Sequence, residues 1–261
     1  MPGIRTDLFI ASILMPGVLS TLLLFNLPQS HATTIDISSG NVTLDQLVGN
    51  DFIEGDKKFE ITGFSGTGVH ASSIVVTPVN QGLAGIGFDL VPVNGSTFIK
   101  HVEDDDDNDG VGVSASFTLN YKVTVLDPLL RITDAHLVFD GMAVAHGEED
   151  DDDNGSAFAN VTETYTGVGL NETLAVMVNT DMPDDMDASF FAAMPQTMLT
   201  VEKVVDLFAT GGDDDDGDDD DSAAAEINFI RQTFSQGLIP EPATGTLLLI
   251  AMFGLATVRR R

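Results

Sequence analysis

Two stretches of alternating carboxylates hold the clearest chemical possibility in this sequence. Asp105-x-Asp107-x-Asp109-Gly110 and Asp150-x-Asp152-x-Asn154-Gly155 place oxygen-bearing side chains at every second position and end on glycine. Such spacing converges oxygens on one point, and the glycine permits the sharp turn that calcium loops need. The bidentate Glu of a complete twelve-residue calcium loop is missing, because the twelfth position is Ser116 in the first stretch and Val161 in the second.

Both stretches lie inside longer acidic runs, Glu103 to Asp109 and Glu148 to Asp153, and a third run occupies Asp213 to Asp221. The three runs hold 20 of the 41 Asp and Glu, so they account for most of a formal charge of −30. Three readings are open. The favoured one is a set of solvated polyanionic loops extended by self-repulsion. The second is calcium binding in the weak extracellular range, about 10⁻⁴ to 10⁻³ M, that orders the loops or bridges neighbouring molecules. The third is a transition-metal site using His101 and His146, which lead into the first two runs.

The rest of the composition excludes more than it suggests. Eleven Lys and Arg cannot supply the clustered phosphate contacts of a nucleic-acid-binding protein. There is no cysteine, hence no disulfide and no thiol chemistry, and no tryptophan for a large sugar-stacking ring. No metalloprotease helix motif, phosphate-binding loop or dinucleotide fingerprint occurs. Gly63-Phe64-Ser65-Gly66-Thr67-Gly68 misses the nucleophile elbow because its second glycine comes one residue early, and it reads as a turn. Glu163 and Asp89 are carboxylates that a glycosidase could use, yet nothing separates them from ordinary surface acids. The expectation is a protein that is not an enzyme.

Strands must position the acidic runs. Val111 to Val125 alternates apolar and polar residues strictly over 15 positions, which a half-buried strand explains. Leu130 to Ala145 continues beyond an Asp127-Pro128 turn, with a bulge expected near Asp140-Gly141. Further strands are read at Phe59 to Phe64, Ser73 to Val79, Leu83 to Leu90, Ala157 to Tyr165, Leu174 to Val178, Met198 to Phe208 and Ala223 to Phe234. Thr43 caps a single helical turn, and the irregular Asp181 to Ala193 is assigned a short helix. Eight to ten strands without a long helix predict an all-β antiparallel sandwich over residues 33–238. Each acidic run would then form a hairpin tip, the first two at one end and the third at the opposite end.

Both termini read as sorting segments. Arg5 precedes an apolar stretch from Leu8 to Leu27, and Ser30-His31-Ala32 offers small residues for signal-peptidase cleavage after Ala32, so residues 1–32 read as a signal peptide. An uncleaved N-terminal membrane helix is the alternative. At the other end Pro240-Glu241-Pro242 is followed by an uncharged run, Ala243 to Val258, and then by Arg259, Arg260 and Arg261. As a helix the 16-residue run reaches roughly 24 Å, the short edge of a bilayer span. The arginines would hold the end on the cytoplasmic side.

This tail, residues 239–261, resembles the PEP-CTERM sorting signal of Gram-negative bacteria, read by the membrane protease-transpeptidase exosortase. The resemblance implies that Pro240, Glu241 and Pro242 are the recognition motif and that the segment after them is removed on delivery. Gly55-Asp56-Lys57-Lys58-Phe59, Asn120-Tyr121-Lys122-Val123-Thr124, Val161-Thr162-Glu163-Thr164, Val201-Glu202-Lys203 and Gln232-Thr233-Phe234-Ser235-Gln236 resemble the domain of unassigned activity that often precedes such tails. That resemblance brings architecture and location but no catalytic residues. The expected protein is an exported surface or extracellular-matrix component with a structural or adhesive role. Its expected partners are signal peptidase and exosortase, extracellular polysaccharide, and transiently the inner membrane. A calcium-dependent glycan- or ligand-binding module is the alternative.

Overall fold

The computed structural model describes residues 32–40, 42–93, 98–103, 112–146, 155–180, 182–210 and 222–239. The leader up to His31, both calcium-type stretches, the third acidic run and the tail from Pro240 lie outside the described residues.

In chain order the described strands are β1 (Val42–Thr43), β2 (Asp51–Glu54), β3 (Lys57–Thr67), β4 (Ile74–Asn80), β5 (Ile86–Pro92), β6 (Phe98–Glu103) and β7 (Val113–Val125). They continue with β8 (Leu130–His146), β9 (Ser156–Gly167), β10 (Leu170–Asn179), β11 (Met182–Asp185), β12 (Asp187–Gln196), β13 (Met198–Thr210) and β14 (Ser222–Leu238). Two seven-stranded sheets result. Sheet A has the order β11-β10-β9-β13-β7-β3-β2, and sheet B the order β1-β4-β5-β14-β8-β12 with β6 also on β14. All the strand pairings are antiparallel.

Period-two burial makes this a sandwich. Ala115, Phe117, Leu119, Tyr121 and Val123 of β7 are buried, and so are Leu199, Val201, Val205, Leu207 and Ala209 of β13. From sheet B, Phe88, Leu90, Ile227, Ile230 and Phe234 close the core. Aromatic rings bridge the sheets: Phe59 lies 6.1 Å from Phe234, and Tyr121 lies 5.4 Å from Phe88.

Several expectations change. The described residues hold fourteen strands rather than eight to ten, because β1, β2 and β11 are too short to display a period. Asp181 to Ala193 carries no helix. Met182–Asp185 and Asp187–Gln196 are strands, β12 lying at the edge against β8. Gly63 to Thr67 is not a turn but the end of β3, where the register shifts between Ile61 and Gly63. The single helical turn holds: α1 (Leu44–Leu47) has Thr43 as its N-cap in a capping box, and Gln46 Oε1 accepts from Thr43 N at 3.1 Å.

The expected bulge is found with its extra residue on the facing strand. Ile227 pairs with Gly141 and Phe229 with Asp140, leaving Asn228 of β14 unpaired. One inserted residue inverts the alternation, so β14 buries Ala223, Ala225 and Ile227 before the bulge and Ile230, Gln232 and Phe234 after it. Beside this second half the backbones crowd: a Cβ on Gly87 of β5 would lie 1.7 Å from the Gln232 carbonyl oxygen. Gly87→Ala is therefore expected to part β5 from β14 and to lower stability by about 3 kcal/mol, read by urea unfolding. An unchanged midpoint would show that the two strands are not closely apposed.

Candidate functional site

The strand ends that the acidic runs connect all lie at one end of the sandwich. Ser222 at the start of β14 pairs with Glu103 on one side and His146 on the other. In sheet A, Thr210 pairs with Ser156 and Ala209 with Val113. Cross-sheet contacts align the two sets of ends. Tyr165, nine residues in from Ser156, meets Gln232, ten residues in from Ser222. Phe98, five residues from Glu103, has its ring centre 5.9 Å from that of Phe117, four residues from Val113. The strand ends joined by the third run therefore lie at the same end as those joined by the other two, not at the opposite one. None of the three is a hairpin tip, because each crosses between sheets: β6 to β7, β8 to β9 and β13 to β14.

The individual calcium candidates Asp105, Asp107, Asp109, Asp150, Asp152 and Asn154 lie outside the described residues, as do Pro240, Glu241, Pro242 and Arg259 to Arg261. His101 and His146 sit on the two strands flanking β14, opposite Ala224 and Ser222. Among the described residues no group of three or more His, Asp or Glu could hold a metal. Ala32 is exposed, and the next residue, Thr33, donates its N–H to Asn50 Oδ1 at 3.1 Å.

The sequence reading missed a polar cluster inside the core. Glu163 is no surface acid. It and Lys203 face inward from directly paired positions of β9 and β13, both wholly buried, with Lys203 Nζ against Glu163 Oε1. Neither of those two atoms has a further hydrogen-bond partner among the described residues. The Tyr165 hydroxyl donates to Glu163 Oε2, and Gln232 Oε1 from sheet B lies 3.1 Å from the same hydroxyl. The Tyr121 hydroxyl is buried beside them without a partner among the described residues. Burial holds the Lys203 ammonium below the ordinary lysine range, while Glu163 pulls it the other way. Burial and the Glu163 charge push both phenols well above the ordinary tyrosine value. These groups are sealed from solvent, so they cannot meet a substrate such as a glycan.

A second buried lysine, Lys57 of β3, reaches Gln236 Oε1 at 2.5 Å and Asp56 Oδ1 at 3.2 Å. Asp89, the other carboxylate considered, forms a bidentate pair with Arg231, with both N···O distances 2.8 Å. That pair balances the charge of Asp89.

No family description and no curated protein sequence matches this chain. Among solved structures it is similar to TmCBM61 in complex with β-1,4-galactotriose, at 11% identity and a TM-score of 0.21, over 76% of this chain and 96% of that one. A likeness this low carries no argument about ligand or fold.

The buried pair is testable through its coupling. Lys203→Met and Glu163→Gln, each leaving one charged partner inside, should cost about 3–5 kcal/mol. The double variant should cost less than the two losses combined, as read by urea unfolding. The sign of the pH effect follows from the lowered lysine: the unfolded chain binds a proton that the folded chain does not. The Lys203 contribution to stability should therefore rise with pH as the ordinary lysine value is approached from below, and that rise should vanish in Lys203→Met. Identical pH slopes for the two proteins would refute the assignment.

Proposed function

We propose that this chain is an exported, non-enzymatic β-sandwich, delivered by its C-terminal tail to the cell envelope or its polysaccharide matrix. Its role there is structural or adhesive. The observation that carries this reading is the polarity of the sandwich. β14 starts where the three acidic runs attach and ends at Leu238, two residues before Pro240, so the tail departs from the opposite end.

That opposite end is also apolar. Leu129 in the β7–β8 turn is 65% exposed, Val168 in the β9–β10 turn 82%, and Leu238 73%. Beside them a hollow is lined by Arg131, Thr133, Pro195, Gly237, Leu238 and Ile239. Exposed aliphatic turns around the exit of an apolar tail suit temporary residence at a bilayer surface. The carboxylates, held at the far end, suit contact with the exterior. No described helix is long and apolar enough to cross a membrane.

A second reading rests on the three runs sharing one end: a calcium-dependent glycan- or ligand-binding edge. Calorimetric titration and melting with and without EDTA separate the two. The structural reading expects no saturable heat at millimolar calcium and the same melting temperature in EDTA. A saturable site with a calcium-dependent melting shift favours the binding edge.

Sorting is tested by the mass of the C-terminus in a host that has exosortase. The expected product ends near Pro240-Glu241-Pro242 and lacks Arg259 to Arg261. Intact chains lodged stably in the inner membrane of that host would refute it.

A further inference from the structure

Lys57 and Gln236 are 179 residues apart in sequence and meet across the two sheets, near the end from which the tail departs. The Lys57 side chain is wholly buried. Its Nζ lies 2.5 Å from Gln236 Oε1. Since a carbonyl bond is about 1.23 Å long, Nζ is at most about 3.7 Å from the carboxamide carbon, close to near-attack range. Asp56, the preceding residue, has Oδ1 3.2 Å from Nζ. Its Oδ2 is buried and has no hydrogen-bond partner among the described residues.

An amine, a carboxamide and a carboxylate in contact, the amine wholly buried and the other two partly so, are the parts of an acyl-transfer reaction. We propose that Lys57 and Gln236 join in an intramolecular amide cross-link, with Asp56 as the proton carrier. The unprotonated Lys57 amine adds its electron pair to the Gln236 side-chain carbonyl carbon. Asp56 takes a proton from Nζ and delivers it to Nε2. The carbon–Nε2 bond then breaks and ammonia departs, leaving a secondary amide between Lys57 Nζ and Gln236 Cδ. No oxidant, metal or second substrate is needed.

Each residue suits its part. Burial lowers the Lys57 ammonium below the ordinary lysine range against the opposing charges of Asp56 and Asp134, which enlarges the nucleophilic fraction. Asp56 is partly exposed, giving ammonia a way out. Lys203 differs: it meets a carboxylate rather than a carboxamide, with no second carboxyl group against it among the described residues to move the proton. The product would tie β14 covalently to sheet A in a chain that has no cysteine.

Intact-mass spectrometry of the denatured full-length protein tests this directly. The mass should be about 17 Da below that of the termini present, for the ammonia lost in amide formation by a lysine nucleophile. Proteolysis should then yield a branched peptide joining Lys57 to the segment after Arg231. Lys57→Arg and Asp56→Asn should restore the full mass. The wild-type spectrum decides by itself should either variant fail to fold. A full wild-type mass would overturn the proposal. So would a deficit that maps to any other residue, or one that matches loss of water between Lys203 and Glu163.

Discussion

Much of the contact between the two sheets comes from what β14 offers to sheet A, beside the rings that Phe88 of β5 meets there. Before its bulge it presents Ala223, Ala225 and Ile227, and after it Ile230, Gln232 and Phe234. A buried carboxamide costs free energy unless its polar atoms are met. The Tyr165 hydroxyl meets Gln232, and that hydroxyl leads on to Glu163 and Lys203. Such a network contributes little net stability over an apolar core of the same shape. Its effect is on register. A one-residue slip of β9 against β13 would turn Glu163 outward and leave Lys203 inside without its counter-charge, at a cost of several kcal/mol.

Strand length sets the distances relevant to the proposed function. The 17 residues of β14 span up to roughly 55 Å between the end where the acidic runs attach and the end where the tail begins. Screening in physiological salt acts over about 8 Å. The repulsion among the carboxylates is therefore local. It does not reach the opposite end, which is how so uneven a charge can be carried on an otherwise ordinary sandwich.

The fold was legible wherever a strand was long and faced one way. Val111 to Val125 and Met198 to Phe208 show alternation in the sequence, and Val113–Val125 and Met198–Thr210 are strands. The short edge strands were not legible, since two to four residues display no period. Neither was β12, where Phe191, Ala192 and Ala193 after Phe190 break the alternation at a sheet edge. The buried cluster had left a trace. Lys203 occupies the inward register between Val201 and Val205, and Glu163 the inward register between Val161 and Tyr165. A charge at a position the pattern reserves for core predicts a buried partner. Pairing the two required knowing that β9 and β13 are neighbours, which no local pattern encodes. The third acidic run was misplaced for a related reason: counting strand reversals fails when a connection crosses between sheets.

The position of β14 also determines how the domain would bear load. The tail leaves from its last residues, and β8 pairs with it from Ser222 to Leu238. On its other flank β6 covers the first part and β5 the second. A pull on the tail runs along the strand axis, so it shears these ladders and stresses many hydrogen bonds at once rather than one after another. The weak point is the stretch after Phe234, where β5 has ended and only β8 continues the ladder. Gln236 lies in that stretch, and the contact with Lys57 is what joins it to the opposite sheet. A cation held there by Asp56 and a carboxamide already resists fraying. The same geometry is what makes the site suited to a bond that does not open under load.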